Sequence, residues 1–139
     1  MFIKISNKSG EKLDYSFHPG EDGTRQIVVI GHGVTGNKDR PFVVALAEGL
    51  AVSGRHVLRF SFAGNGTSGG RFADSTISKE VEDLTAVLDA LADYEICYVG
   101  HSMGGAVGVL AAGQDERVKL LVSLAGMVNT EAFHKREFG

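Results

Sequence analysis

Ser102 sits in Gly100-His101-Ser102-Met103-Gly104-Gly105, directly after the apolar run Ile96-Cys97-Tyr98-Val99. The small residues that follow, 106–112, read as a buried helix. A serine on a tight turn between strand and helix is forced into a strained conformation that pushes its hydroxyl outward, and glycines on either side let the two elements pass closely. The chemistry such a hydroxyl offers is nucleophilic attack on a carbonyl carbon. The plainer alternative is a helix-capping serine at an ordinary turn. As a string, Gly-x-Ser-x-Gly is weak: a chain with 19 glycines meets it by chance roughly 0.2 times. A second match, Gly66-Thr67-Ser68-Gly69-Gly70, has no strand before it and no helical pattern after it, and reads as loop.

A second constellation, Gly31-His32-Gly33-Val34-Thr35-Gly36-Asn37-Lys38, also follows an apolar run directly. It lacks the Gly-Lys-Ser/Thr ending of a phosphate-binding P-loop and the spacing of a dinucleotide fingerprint, which argues against a phosphate site. A third, Arg59-Phe60-Ser61-Phe62-Ala63-Gly64-Asn65-Gly66-Thr67-Ser68, follows the next strand-like segment. In this order and spacing the three motifs resemble the α/β-hydrolase superfamily, over about residues 20–125. Within it they are most similar to the esterase, monoacylglycerol-lipase and serine-aminopeptidase-like branch, and His32 to Asn37 lean towards small-ester and feruloyl-type esterases. The usual family pattern has Asp where Ser61 stands and His where Asn65 stands, a departure that blurs the subfamily more than the chemistry.

The resemblance implies a catalytic Ser102, with the backbone N–H groups of Val34 and Met103 as donors to the oxyanion of a tetrahedral intermediate. It implies a small-molecule ester as substrate, and the sequence carries no metal-cluster or cofactor motif, so neither is expected. It also implies that an acid and then a histidine follow the serine along the chain. Only 37 residues follow Ser102, which leaves little room for both. Asp115 and Glu116 lie at the far end of the helix that starts at the serine, roughly 15 Å away at 1.5 Å per residue. His32 and His101 belong to the glycine motifs and are expected to be structural, with His101 facing away from the nucleophile's side. His18 and His56 stand near strand beginnings and are expected at the surface. His134, with Glu131 three residues before it, is the one histidine after the serine. The expectation is a chain that ends after its sixth strand, its activity impaired because the triad acid and base are missing. A non-catalytic binding module that keeps the fold and its pocket is the alternative.

The elements that must hold these residues follow from periodicity. Residues 2–5 and 13–18 alternate apolar with polar, as in an exposed antiparallel hairpin. Residues 26–30, 56–62, 95–99 and 119–125 are apolar enough for strands buried on both faces. Helices are predicted from Asp39, as N-cap before Pro41, to Gly54, over 80–92, and over 103–112. The result is an α/β fold of three α/β/α layers with about six strands, mostly parallel, forming one domain over residues 1–139; with the motif positions, the resemblance implies the order 1-2-4-3-5-6. It amounts to an incomplete α/β-hydrolase fold. The strand at 119–125 would then lie at an edge although written like a central strand, which predicts a homo-oligomer joined there or cover from residues 126–139.

Bulk properties narrow the class. The chain is 43% hydrophobic and 22% charged, as soluble globular domains are. A net charge of −3 offers no basic face for nucleic acid and no polybasic patch for a membrane surface. No apolar run approaches the length of a membrane span, and the N-terminal residues alternate too much for a signal peptide. The single cysteine, Cys97, lies in an apolar strand run, reads as a structural thiol and fits a reducing, cytoplasmic compartment.

Overall fold

The computed structural model describes residues 3–124. Its strands are β1 (Tyr15–His18), β2 (Gln26–Gly31), β3 (His56–Phe60), β4 (Glu95–His101) and β5 (Val118–Leu124). Its helices are α1 (Pro41–Val52), α2 (Ile77–Ala90) and α3 (Met103–Gln114). The sheet runs β1-β3-β2-β4-β5, with β1 antiparallel to β3 and every other pair parallel. Minus its first strand, this is the order expected from the sequence. No helix among the described residues is long and apolar enough to cross a membrane.

Residues 3–5 form no strand. The hairpin shrinks to one bridge, Ser6 with Lys12, beside a bond from Leu13 N–H to the Ile5 carbonyl at 2.8 Å. Asn7 is the reason. Its Oδ1 accepts from the N–H groups of Ser9 and Glu11, which closes a local turn in place of a ladder. Its Nδ2 donates across the molecule to Asp83 at 2.8 Å. Ile5 and Leu13 still reach the core.

Alternation along the strands divides the core in two. Ile27, Val29, Leu58, Phe60, Ile96 and Tyr98 face α2 and α3, where Leu84, Leu88 and Val107 meet them. Val28, Ile30, Val57 and Val99 face α1, against Val43 and Ala47. Helix α2 begins earlier than its apolar period suggests because the Thr76 side chain accepts from Lys79 N–H. Helix α1 differs at its start as well. Arg40, not Asp39, is the N-cap, and Pro41 opens the helix. The Asp39 carboxylate turns instead to the Arg59 guanidinium at 2.7 Å and the Lys38 ammonium at 3.1 Å. Its pKa is held below the ordinary carboxylate value, by the Arg59 hydrogen bond first.

A buried polar seam ties the N-terminal turn to α2 and to the loop after β3. Asp83 is fully buried; one oxygen accepts from Asn7 and the other from Ala63 N–H at 2.9 Å. Burial raises the Asp83 pKa against these two bonds. One helical turn away, burial and then the Asp83 charge push the Glu80 carboxyl up to about 7. A carboxyl raised in the folded state stabilises the fold below its unfolded value and loses that contribution as pH rises through the folded one. The Glu80 contribution is therefore complete below its ordinary 4.5 and gone above about 7. Glu80→Gln is expected to gain stability relative to the parent chain between pH of about 5 and about 8, read as the difference of urea midpoints. A difference that does not change with pH would contradict this account of Glu80.

Candidate active site

Register brings the two glycine motifs together. Gly31, the last residue of β2, pairs with Gly100 on β4, so the chain leaves both strands side by side. Helix α3 starts over this point with no space for a Cβ. One added at Gly104 would lie 2.6 Å from the carbonyl oxygens of Gly31 and His32, and one at Gly100 would lie 2.3 Å from the Gly104 carbonyl oxygen. The buried Tyr98 hydroxyl donates to that Gly104 carbonyl at 2.8 Å.

Ser102 stands between β4 and α3 with φ 55° and ψ −117°, a region that residues other than glycine rarely occupy. Its N–H donates to Leu124 at 2.9 Å, and its carbonyl accepts from Gly105 and Ala106. Its side chain makes no cap bond to the helix, which removes the capping alternative. Ser68, in the second serine match, is a loop residue: its hydroxyl accepts from Asp14 N–H and donates to the Ser61 carbonyl at 2.6 Å.

After β2 the chain makes a tight turn from Gly33 to Gly36, whose N–H donates to the Gly33 carbonyl at 3.0 Å. His32 is buried beneath it. Its Nε2 accepts from Phe62 N–H at 3.0 Å, so its Nδ1 carries the proton and donates to Gly33 at 2.7 Å. Burial lowers the His32 pKa and keeps the ring neutral. Thr35 has φ 61°; its hydroxyl donates to the Val34 carbonyl, and Arg40 Nη2 donates to the Thr35 carbonyl at 2.9 Å. The turn's carbonyls are thus engaged, while the N–H groups of Val34 and Met103 have no partner among the described residues.

Val34 and Ser102 line one open cleft of about 750 Å³, with Arg40, Pro41, Phe42 and His101 among the other walls. None of the described residues that line it is acidic. His101 corrects the sequence expectation: it shares the cleft with Ser102, its ring 5.2 Å from that of Phe42. The other two described histidines, His18 and His56, are half-buried and bonded, not free at the surface. His56 accepts from Gly20 N–H and packs against Phe17 and Tyr94, and His18 accepts from Arg59. Ser61 is fully buried and accepts from Lys38 N–H; Asn65 donates to the Ala63 carbonyl. Asp115, at the far end of α3, is engaged by Arg117. Glu131 and His134 lie outside the described residues, as do residues 126–139 as a cover for β5. Among the described residues no cluster of His, Cys, Asp and Glu is arranged to hold a metal ion. Arg40 and Phe42 were missed at the sequence level; Pro41 marks them as the start of a helix and nothing in their types marks them as lining a site.

Residues 26–138 match the family model of the alpha/beta hydrolase fold. A protein of Azorhizobium caulinodans named for carbamate hydrolysis, RutD, is 32% identical over 128 residues, which are 91% of this chain and 45% of that one. The mitochondrial palmitoyl-protein thioesterase ABHD10 of Homo sapiens is 33% identical over 88 residues, 63% of this chain and 29% of that protein. Among solved structures, Est1E from Butyrivibrio proteoclasticus with ferulic acid bound superposes with a TM-score of 0.76 at 30% identity, over 84% of this chain and 49% of that one. The chain spans less than half the length of these relatives.

Strain at Ser102 has a measurable consequence. Backbone in this region costs about 1–3 kcal/mol for a residue with a Cβ, and glycine escapes most of it at an entropic cost of about 0.5–1 kcal/mol. Ser102→Gly is expected to stabilise the fold by about 1 kcal/mol in urea unfolding. A loss of stability would show that the serine side chain contributes to folding.

Proposed function

The chain belongs to the alpha/beta hydrolase fold family, and from that membership we propose that it serves the hydrolysis of carboxylic esters with Ser102 as nucleophile. The observation that carries this reading is the strained Ser102, its hydroxyl not used in capping, in one cleft with Val34. In the proposed reaction Ser102 Oγ attacks the ester carbonyl, and the negative charge that develops on oxygen is received by the N–H groups of Val34 and Met103. Losing one such donor costs about 3–4 kcal/mol in related chemistry. The tetrahedral intermediate collapses, the alcohol leaves, and water releases the acyl group from Ser102. Ferulic acid in the similar Est1E and the thioesterase and carbamate hydrolase names of the relatives support acyl transfer as the reaction class. The lone Cys97 fits a reducing compartment, and the cytoplasm is the proposed location.

The base and acid are proposed to come from outside residues 3–124. His32 is held by two bonds, and none of the described residues that line the cleft is a carboxylate. That same lack favours the second reading, a binding module that retains the cleft without turnover.

The two readings part on covalent chemistry. A fluorophosphonate probe is expected to label the 139-residue chain slowly, with the adduct mapping to Ser102 and lost in Ser102→Ala. With no described histidine bonded to it, the hydroxyl is expected to stay protonated at neutral pH, so turnover of p-nitrophenyl acetate is expected to be weak and to fall less than about tenfold in Ser102→Ala. An adduct on another residue, or none, would favour the binding module. A drop of about a hundredfold or more would place a base inside the chain, with His134 and His101 the first to substitute.

A further inference from the structure

Resting on the reading of the Ser102 cleft as a substrate site, we propose that Arg40 selects esters that carry a second, anionic group, such as the half-esters of short dicarboxylic acids. Arg40 lines the cleft together with Ser102 and Val34. None of the described residues that line the cleft is acidic, so none of them neutralises the guanidinium. The neighbouring carboxylate is already engaged: Asp39 pairs with Arg59 at 2.7 Å and Lys38 at 3.1 Å. Among the described residues its guanidinium makes one hydrogen bond, from Nη2 to the Thr35 carbonyl at 2.9 Å. That bond fixes the guanidinium beside the turn that carries Val34 and leaves most of its five donors for a ligand. Its charge also acts across the cleft wall, where it adds to the effect of burial in lowering the pKa of His32.

The rest of the lining suits the remainder of such a substrate. Val34, Pro41, Phe42 and Val43 give apolar walls, so a short methylene chain would lie between the ester at Ser102 and a carboxylate at Arg40. A planar guanidinium held at one nitrogen meets a carboxylate with two parallel N–H donors, a geometry a neutral amide cannot match.

The test compares two ligands of nearly the same shape, monomethyl succinate and methyl succinamate. Both are titrated into the 139-residue chain carrying Ser102→Ala, which prevents turnover, and followed by 1H–15N NMR. The acid is expected to bind about tenfold tighter than the amide, with shifts centred on the amides of Val34, residue 102 and Arg40. The ratio is expected to fall to about one in Arg40→Gln, to survive in part in Arg40→Lys, and to shrink as salt rises. An Arg40 that only braces the turn would weaken both ligands alike and leave the ratio unchanged in Arg40→Gln. That result, a ratio near one in the parent, or shifts centred away from the cleft would each overturn the proposal. Fluorophosphonate labelling of Ser102 is scored separately: labelling with no anion preference leaves the hydrolase reading and removes this one, and the converse does the reverse.

Discussion

Helix α3 crosses the ends of β2 and β4 with backbone against backbone, and the site is arranged around that crossing. The carbonyls of Gly31 and His32 lie where a side chain of residue 104 would begin, and the Gly104 carbonyl lies where a side chain of residue 100 would begin. A methyl group at position 104 overlaps peptide atoms of Gly31 and His32, and one at position 100 overlaps those of Gly104 and Gly105, so in both cases backbone would have to yield. The Tyr98 hydroxyl, buried beneath, fastens the Gly104 carbonyl from the core side. This short approach is what places residue 102 at the turn and the Gly33 turn beside it: a Cβ on Gly33 would lie 3.2 Å from that of Ser102. A longer side chain at position 104 would part the serine from the turn that carries Val34.

The strain at Ser102 and Thr35 is supported by the surroundings, not relieved locally. Ser102 is bonded through its N–H to β5 and through its carbonyl to α3, so its two flanks are fixed by elements whose positions the core sets. Thr35, β-branched and at positive φ, is held by its own hydroxyl on Val34 and by the Arg40 guanidinium on its carbonyl. His32 transmits rigidity in the same way. It accepts a hydrogen bond from Phe62 N–H and donates one to the Gly33 carbonyl, which links the loop after β3 to the turn after β2. Ala63, next along, is anchored on the buried Asp83. From α2 to the Val34 turn there is therefore a continuous run of buried and part-buried hydrogen bonds.

Much of this was legible in the sequence because it rests on spacing. Apolar runs of four or five with a helix period between them pointed to the parallel strands, and the positions of the family-like motifs to their order. The two glycine motifs, each at a strand end, gave the place where they meet. What escaped was decided by partners distant in sequence. Asp39 reads as a helix cap until Arg59, twenty residues away, takes its carboxylate. Residues 2–5 read as a strand until Asn7 is bound to Asp83, seventy-six residues away. His101 reads as turned from the nucleophile until Phe42, from another helix, packs on its ring in the same cleft. Local pattern carries no information about which long-range donor reaches a carboxylate or a carboxamide first.

The case of Asp39 shows how one such choice shapes the site. Had Asp39 capped α1, its charge would sit at the helix start and beside its neighbour Arg40, and the cleft would face a neutralised pair. Turned away, it joins Lys38 and Arg59 on the far side of the loop, where Lys38 is also 3.4 Å from Asp14. Two cations and two carboxylates balance there. Arg40 takes over the N-cap position with no side-chain cap bond to the helix, and its guanidinium reaches back to Thr35. The same displacement thus removes a negative charge from the start of α1 and leaves a positive one in the cleft, so the electrostatics of the cleft are set by an ion pair that does not touch it.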